Sequence, residues 1–577
     1  MHPTRPASVH CILLCLISAA LTTLLPLGKS QADTGHSKSS RMQELAGLPF
    51  EELLHVTIET SIANPGHNLN PVRETPAILT VVTKEEIANM GARDLIDILQ
   101  HVPGFSFGWD TQQLTGLAFR GNWAIEGKIL LMIDGFELNE RRYAIAHVGN
   151  RIAIDQIERV EIIRGAGSVI YGGFAELAVV NVITKRAEDL QGGRVWTSIG
   201  FTEDHLARVG TNLMYGNTFG EWEVAAKAFI ARTNRTDGDF TDFFGETRSL
   251  ENHSDVNPLN INLNLQYKDL KLDFLLDNYW TKRRTRFGAG FVEDEPNFGS
   301  TMNYESWWLR TSYEWKIKEN LSVVPEFTFR RSSSYLTSDS DQDIITNSYK
   351  VSLLTEYEPH ETTSIFVGGE YYGDRTHTDR PGYFDGSESF ELDRGAGFAQ
   401  ADVDSPFGHF SLGVRYEHQK GVGGAFVPRL GYAWAAGKFH VKALANRAFR
   451  APIMENLEGP FADPSIDPEI TTIFEGEAGY RLTENLFFVG NAFHIEIKDP
   501  IIWTAPSGYS NLNAKTETYG FEAEVRYVHE KGSLKASYSF NGVSKNTADP
   551  YKADPRWRQP SRHVGPSLLA PGQLAAA

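Results

Sequence analysis

From about residue 190 onward the chain repeats one pattern, stretches of about ten residues in which apolar and polar side chains alternate. Leu259, Ile261, Leu263, Leu265 and Tyr267 are apolar, and Asn260, Asn262, Asn264 and Gln266 between them are polar. The same period recurs in Trp222, Val224, Ala226, Ala228 and Ile230, in Leu272, Phe274 and Leu276, in Phe410, Leu412, Val414 and Tyr416, and in Tyr519, Phe521, Ala523, Val525 and Tyr527. A period of two puts one set of side chains on each face of a β-strand. The connections alternate in length. Short ones fall at 215–221, 268–270, 316–320 and 483–485, and long ones at 233–258, 282–303, 373–394 and 447–470. Short turns at one end and long loops at the other fit a barrel that spans an outer membrane. A soluble β-sandwich needs no such asymmetry.

Composition agrees with this. Hydrophobic residues are 41% and mean hydropathy is -0.31, as expected when half of each strand is polar. The net charge of -18 argues against nucleic-acid binding, which selects basic faces. Past the N-terminus no stretch is long and apolar enough for a membrane-crossing helix, so a membrane location requires a barrel.

Residues 1–32 read as a secretory signal, with Arg5, an apolar run through Leu27 and a Ser30-Gln31-Ala32 cleavage site. Cys11 and Cys15 both lie inside it, so the mature chain is expected to have no thiol, disulfide or cysteine-based metal site. Residues 33–70 are polar and weakly patterned.

Residues 71–188 mix strand and helix signals and predict an α/β domain. Ala77 to Thr83 is a buried-strand run. Thr83 with Glu86 forms a capping box, and Gly91 ends that helix. Asp94 to Leu99 gives a second helix, stopped before Pro103-Gly104. Ile129 to Ile133 is a strand closed by the turn pair Asp134-Gly135. Ile157 to Ile163 and Val179 to Thr184 are two more strands, with a Gly-rich turn between them.

These residues resemble the plug domain of TonB-dependent outer-membrane receptors. The likeness runs through Val102-Pro103-Gly104-Phe105, Phe119-Arg120-Gly121 and Leu131 to Gly135. It continues through Ile157 to Gly165, then Tyr171-Gly172 and Val180 to Lys185. Phe449-Arg450-Ala451-Pro452 and Glu517 to Glu522 resemble the family's barrel elements. The chain departs from the pattern at Ala166-Gly167, where a Pro is usual, and at Leu177-Ala178, where a Gly pair is usual.

The resemblance implies a membrane β-barrel, antiparallel and 22-stranded in the family, with an N-terminal α/β plug domain. It implies residence in the outer membrane of a Gram-negative bacterium, contact with its lipid, and a monomer. It also implies active uptake of a large scarce ligand, a ferric siderophore or alternatively cobalamin, energised by TonB and its inner-membrane complex. A passive porin or adhesin and a non-functional remnant are the other readings. No enzymatic activity, cofactor, metal or nucleic-acid partner is implied. His55, Val56, Thr57, Ile58 and Glu59 are the candidate TonB box, a short strand that adds an edge to its partner. Arg120, Glu158, Glu161 and Arg164 are expected to hold the plug to the barrel by ion pairs.

Ligand contacts are expected from the plug's apical loops at Trp109, Asp110, Gln112, Gln113, Trp123, Arg141, Arg142 and Tyr143. Arg283, Arg286, Tyr383 and Trp503 are the candidates in the barrel loops. Arginine suits anionic chelates and aromatics suit planar catechols. Gly165-Ala166-Gly167-Ser168 lacks the spacing of a phosphate-binding loop. Gly104-Phe105-Ser106-Phe107-Gly108 lacks the strand-then-helix setting of a nucleophile elbow.

About seventeen strands are expected between Gly193 and Asn541, about five short of the family's barrel. The barrel at 189–545 therefore reads as incomplete, followed by an atypical tail at 546–577. Pro550, Pro555, Pro560, Pro566 and Pro571 are expected to keep that tail out of continuous strands.

Overall fold

The structure is a computed structural model. It describes residues 72–569, apart from 110–114, 125, 204, 242–246, 250, 252–253, 283–300, 338–343, 380, 385, 459–461, 505–507, 530–531 and 544–561.

The plug is built on a five-stranded sheet. Its strands are β1 (Leu79–Thr83), β5 (Ile129–Ile133), β6 (Phe136–Glu137), β7 (Ile157–Arg164) and β8 (Ala178–Thr184), in the order β1-β7-β8-β5-β6. Only β5 and β8 run parallel. A smaller three-stranded sheet joins β2 (Phe105–Trp109), β3 (Thr115–Phe119) and β4 (Asn122–Trp123). The capping box forms as the sequence predicts. Thr83 Oγ1 accepts from the Glu86 N–H at 3.3 Å, and Glu86 accepts from the Thr83 N–H at 3.1 Å, opening α1 (Lys84–Asn89). Asp94 caps α2 (Leu95–Gln100), whose Ile98 and Leu99 pack on Val160, Ile162, Val180 and Val182 of the sheet. Asp134 and Gly135 both take positive φ, 50° and 81°, as a two-residue hairpin turn between β5 and β6 requires.

The barrel strands follow one another in chain order from Gly192–Phe201 to Gly532–Val543, each antiparallel to the next. They number seventeen among the described residues when Thr301–Tyr313 and Trp315–Lys318 are taken as one interrupted strand. Their inner face is polar and their outer face apolar. In Val256–Tyr267 the asparagines 260, 262 and 264 are buried in the lumen, whereas Leu263 is 42% exposed on the outside. A strand facing lipid on one side and a polar plug on the other needs this order.

Several boundaries differ from expectation; the turn expected at 215–221 shrinks to 220–221, because Leu206–Phe219 pairs on to Phe219 opposite Trp222, and Phe439–Arg450 runs past 447. The strands around the expected 373–394 connection run on to Thr378 and resume at Ser389, with the ladder continuing through Thr376 opposite Phe390 and His377 opposite Ser389; Arg375 meets Asp393 at 2.8 Å across the hairpin. Trp315–Lys318 pairs where a turn was expected, leaving 319–320 as the turn. In the tail, Arg562–Leu569 is a strand that pairs with Phe540–Ser533 and includes Pro566. One proline removes a single ladder donor and leaves the other residues free to pair, so the prolines do not exclude this strand. In the strand order it stands between Gly532–Val543 and Gly192–Phe201. The barrel then has eighteen strands among the described residues, below the about 22 of a plugged transporter.

Candidate functional site

The plug's segment 139–147 is shaped by one carboxylate. Glu140 accepts the N–H groups of Arg142 at 2.7 Å, Tyr143 at 2.6 Å and Ile145 at 3.3 Å. Burial raises its pKa, and these three donors oppose that rise. The turn so formed presents Arg142 and Tyr143 to two long barrel connections. Arg142 Nε donates to Glu455 at 2.9 Å and Nη2 to the other Glu455 oxygen at 3.3 Å. Arg142 also donates to the Tyr383 hydroxyl. The Tyr143 hydroxyl donates to Glu455 at 3.2 Å. Tyr383 comes from the connection after Thr363–Thr378, and Glu455 from a short helix, Met454–Leu457, in the connection after Phe439–Arg450.

The structure thus brings together three of the expected ligand residues, Arg142, Tyr143 and Tyr383, as a closed latch rather than an open face. Arg142, Tyr383 and Glu455 are all buried. Burial, then Glu455, pushes the Tyr143 phenol well above its ordinary range, so it stays a donor. Glu455 has no signal in the sequence, since its role depends on which plug residue the loop meets.

The other expected residues lie apart. Trp123 is half-buried in β4 with its ring against Gly108. Trp503 packs with Ile466, Ile501 and Tyr509 in a separate loop hairpin, Ile501–Thr504 with Gly508–Asn511. The backbone of Trp109 ends β2 opposite Thr115. Asp110, Gln112, Gln113, Arg283, Arg286 and the His55–Glu59 segment lie outside the described residues. Arg141 donates to Glu137 at 3.3 Å and lies 4.0 Å from Asp374 of the barrel wall.

Deeper in the lumen, ion pairs tie plug to wall. Arg120 sits at φ 49°, is 1% exposed, and donates from Nε and Nη2 to Glu522 at 2.9 and 3.1 Å and from Nη1 to Glu475. Arg164 donates to the same Glu522 at 2.9 Å and lies 3.8 Å from Glu477. For Glu158 and Glu161 the expectation is corrected. Glu158 pairs with Lys84 at 2.6 Å and Glu161 with Arg159 at 2.7 Å, both inside the plug. Pairing of β7 with β1 brings Thr83 opposite Arg159, which sets Glu158 beside the start of α1 rather than against the wall.

Further ties were not read from the sequence. Lys227 donates to Thr184 at 2.5 Å and to Asn264 at 2.7 Å, and Asn262 donates to Asp134 at 2.7 Å. Burial favours a neutral Asp134, but Arg186 and Lys227 outweigh it and hold the carboxyl at about 2. Lys227 was findable, because it occupies an inward position in the Trp222–Ile230 alternation. Arg151 Nε donates to Asp277 at 2.7 Å, beside His147, whose ring packs on Tyr279 and Tyr304.

The two rival motifs find no chemistry. Ser106 lies inside β2, opposite Ala118. A Cβ on Gly165 would meet a Glu475 carboxylate oxygen at 3.0 Å, a neighbour that repels a phosphate.

Comparison with known proteins agrees with this geometry. The family model for the TonB-dependent receptor plug domain matches residues 71–178, and that for the TonB-dependent receptor-like β-barrel matches 196–561. The iron-regulated outer membrane virulence protein of Vibrio cholerae is 22% identical over 522 residues, covering 84% of this chain and 78% of that protein. The vitamin B12 transporter BtuB of Vibrio vulnificus is 31% identical over 165 residues, 28% of this chain and only 26% of that protein. Among solved structures, the siderophore receptor PirA of Pseudomonas aeruginosa superposes with a TM-score of 0.62 at 18% identity, covering 81% of this chain and 84% of that one. The ferric enterobactin receptor PfeA of the same organism gives 0.66 at 17% identity, covering 81% of each. A polar-lined antiparallel barrel, a plug ion-paired within it and the two family matches lead to one conclusion: this chain belongs to the TonB-dependent receptors of the Gram-negative outer membrane.

Proposed function

We propose that the protein takes up a ferric siderophore across the outer membrane, with TonB supplying the work. The observation that carries this reading is the latch at the plug apex. Arg142, Tyr143 and Tyr383 gather a cation and two phenol donors where the plug meets two long loops. An anionic, oxygen-rich chelate competes with the Glu455 carboxylate for the same donors. Displacing the Glu455 carboxylate breaks its ties to Arg142 and Tyr143, which couples ligand arrival to movement of the Met454–Leu457 connection against the plug. Relatives described as siderophore receptors and as iron-regulated support the ligand class.

The wall ion pairs then act as the resistance that TonB must overcome. Arg120 and Arg164 converge on Glu522, so moving the plug means separating buried charges. Pull on the N-terminal segment, with His55–Glu59 as the proposed box, supplies that work. Cobalamin is the second reading, favoured by the 31% identity to the BtuB transporter.

The test is uptake by cells expressing the chain, with and without TonB, against a panel of ferric siderophores and cobalamin. Uptake of one ferric siderophore that vanishes without TonB is the expected result. Uptake of cobalamin alone transfers the reading to the second ligand. Equal uptake with and without TonB makes the protein a passive pore.

A further inference from the structure

The plug strands β5 and β8 run side by side, and just ahead of them the Leu177 N–H donates to the Lys128 carbonyl at 2.8 Å. Lys128 and Glu176 therefore meet the same patch of wall. That patch is a cross-strand pair. Arg450, the last residue of Phe439–Arg450, stands opposite Glu469, the first of Glu469–Arg481. Thr471, two residues further along, shares the inward face with Glu469.

Charge at this contact does not balance. Lys128 donates to Glu469, and Arg450 donates to Glu469 at 3.1 Å and to Glu126 of the plug at 3.2 Å. The Ile501 N–H donates to Glu469 at 3.0 Å as well. Both cations are thus matched by Glu469 and Glu126, and a third carboxyl, Glu176, is left over. Glu176 is fully buried and accepts from the Thr471 hydroxyl. Among the described residues its other oxygen has no hydrogen-bond partner, and Lys128 approaches it only to 4.0 Å. A buried carboxylate without a cation of its own is costly, and such a group takes up a proton instead.

We propose that Glu176 is a proton-binding group of the plug–wall contact: seated, it carries a proton, and when the plug leaves the wall it loses that proton to water. Acid then tightens this side of the plug's seat. The site stands on burial and charge balance and does not depend on the uptake reading. Burial, then the Glu469 charge, raise the Glu176 carboxyl to about 7, and Lys128, Thr471 and Arg450 oppose that rise. An exposed glutamate titrates at about 4.3. The stabilisation is therefore complete below about pH 4.3 and is lost as the pH rises through about 7. His147 of the plug acts in the opposite sense, through its own surroundings of Tyr279, Tyr304 and Arg151.

The test uses the full chain purified in detergent, as the parent and as Glu176→Gln, which keeps the size of the side chain and its neutral form. Infrared difference spectra should show the carbonyl band of a protonated carboxylic acid in the parent at about pH 6, absent from the variant and titrating away toward about pH 8. Hydrogen exchange of residues 172–178, taken relative to the intrinsic rate, should lose protection about tenfold in the parent between about pH 6 and 8. In the variant it should stay at the acid level. His147 is common to both proteins, so its contribution cancels between them. Should Glu176→Gln not fold, Thr471→Val decides. It removes the hydrogen bond that favours the charged form, and the midpoint of the band should move to higher pH. Equal bands in parent and Glu176→Gln, equal loss of protection in the two, or a midpoint unmoved by Thr471→Val overturns the proposal.

Discussion

At the scale of single residues, the buried charges inside the lumen dominate the energetics. Arg120 contacts both Glu475 and Glu522, so Arg120→Gln leaves two buried carboxylates short of a cation. Breaking such a pair from one side costs about 3–5 kcal/mol. The variant should therefore lose urea resistance of the plug before that of the barrel, visible as earlier proteolysis of 72–188 with the barrel intact. His147 makes the opposite kind of prediction. Burial, then Arg151, hold its pKa well below the ordinary value. An unfolded histidine titrates at about 6.5, so below that pH the unfolded chain takes up a proton that the folded plug does not. Plug stability should be full above about pH 6.5 and decline as the pH falls through it. Hydrogen exchange of residues 144–151 measured at several pH values checks this. Protection relative to the intrinsic rate should fall with acid in the parent protein and not in His147→Gln.

At the scale of elements, the capping box is a local device and its worth is local. Thr83→Ala removes the acceptor for the Glu86 N–H and should cost about 1 kcal/mol, read as a shift in the plug's unfolding midpoint. The barrel strands are less forgiving. A Cβ on Gly520 would stand 2.0 Å from the Phe540 carbonyl oxygen and 2.6 Å from the Phe493 ring. Gly520→Ala should push Lys515–His529 away from Gly532–Val543 and cost about 1–3 kcal/mol. The test is the fraction of heat-modifiable barrel recovered from membranes. The elements themselves were largely legible. Thr83 with Glu86, Asp94 before Leu95 and the Asp134-Gly135 turn are signals carried by neighbouring residues, and each forms where its residues indicate. The strand ends at Thr378 and Ser389 were not, because pairing there is set by the partner strand across the hairpin, as in His377 opposite Ser389, and not by an apolar alternation in the sequence.

For the whole molecule, the proposed uptake requires that the plug move relative to the wall. Asn122 of the plug donates to Thr518 of the barrel at 3.1 Å. The only cysteines in the sequence are Cys11 and Cys15, so in a Cys11→Ser, Cys15→Ser background a thiol pair introduced as Asn122→Cys and Thr518→Cys can be bridged selectively by a short cleavable reagent. Bridging should abolish uptake while ligand binding at the cell surface persists, and cleavage should restore uptake. Uptake unaffected by the bridge would show that this edge of the plug stays in place during transport. The sequence by itself determined the architecture. Period-two alternation specifies strands with a lipid face and a lumen face, and motifs such as Ile157 to Gly165 specify the plug, because both signals are local or carried in one continuous stretch. Only the tertiary structure decided which charges meet. Arg120 and Glu522 are 402 residues apart, and Arg142 and Glu455 are 313 apart. Glu158 and Glu161, on the same strand as Arg164, pair within the plug instead. Contact across the lumen is set by how the plug is seated against the register of the wall strands, and no short-range pattern records that.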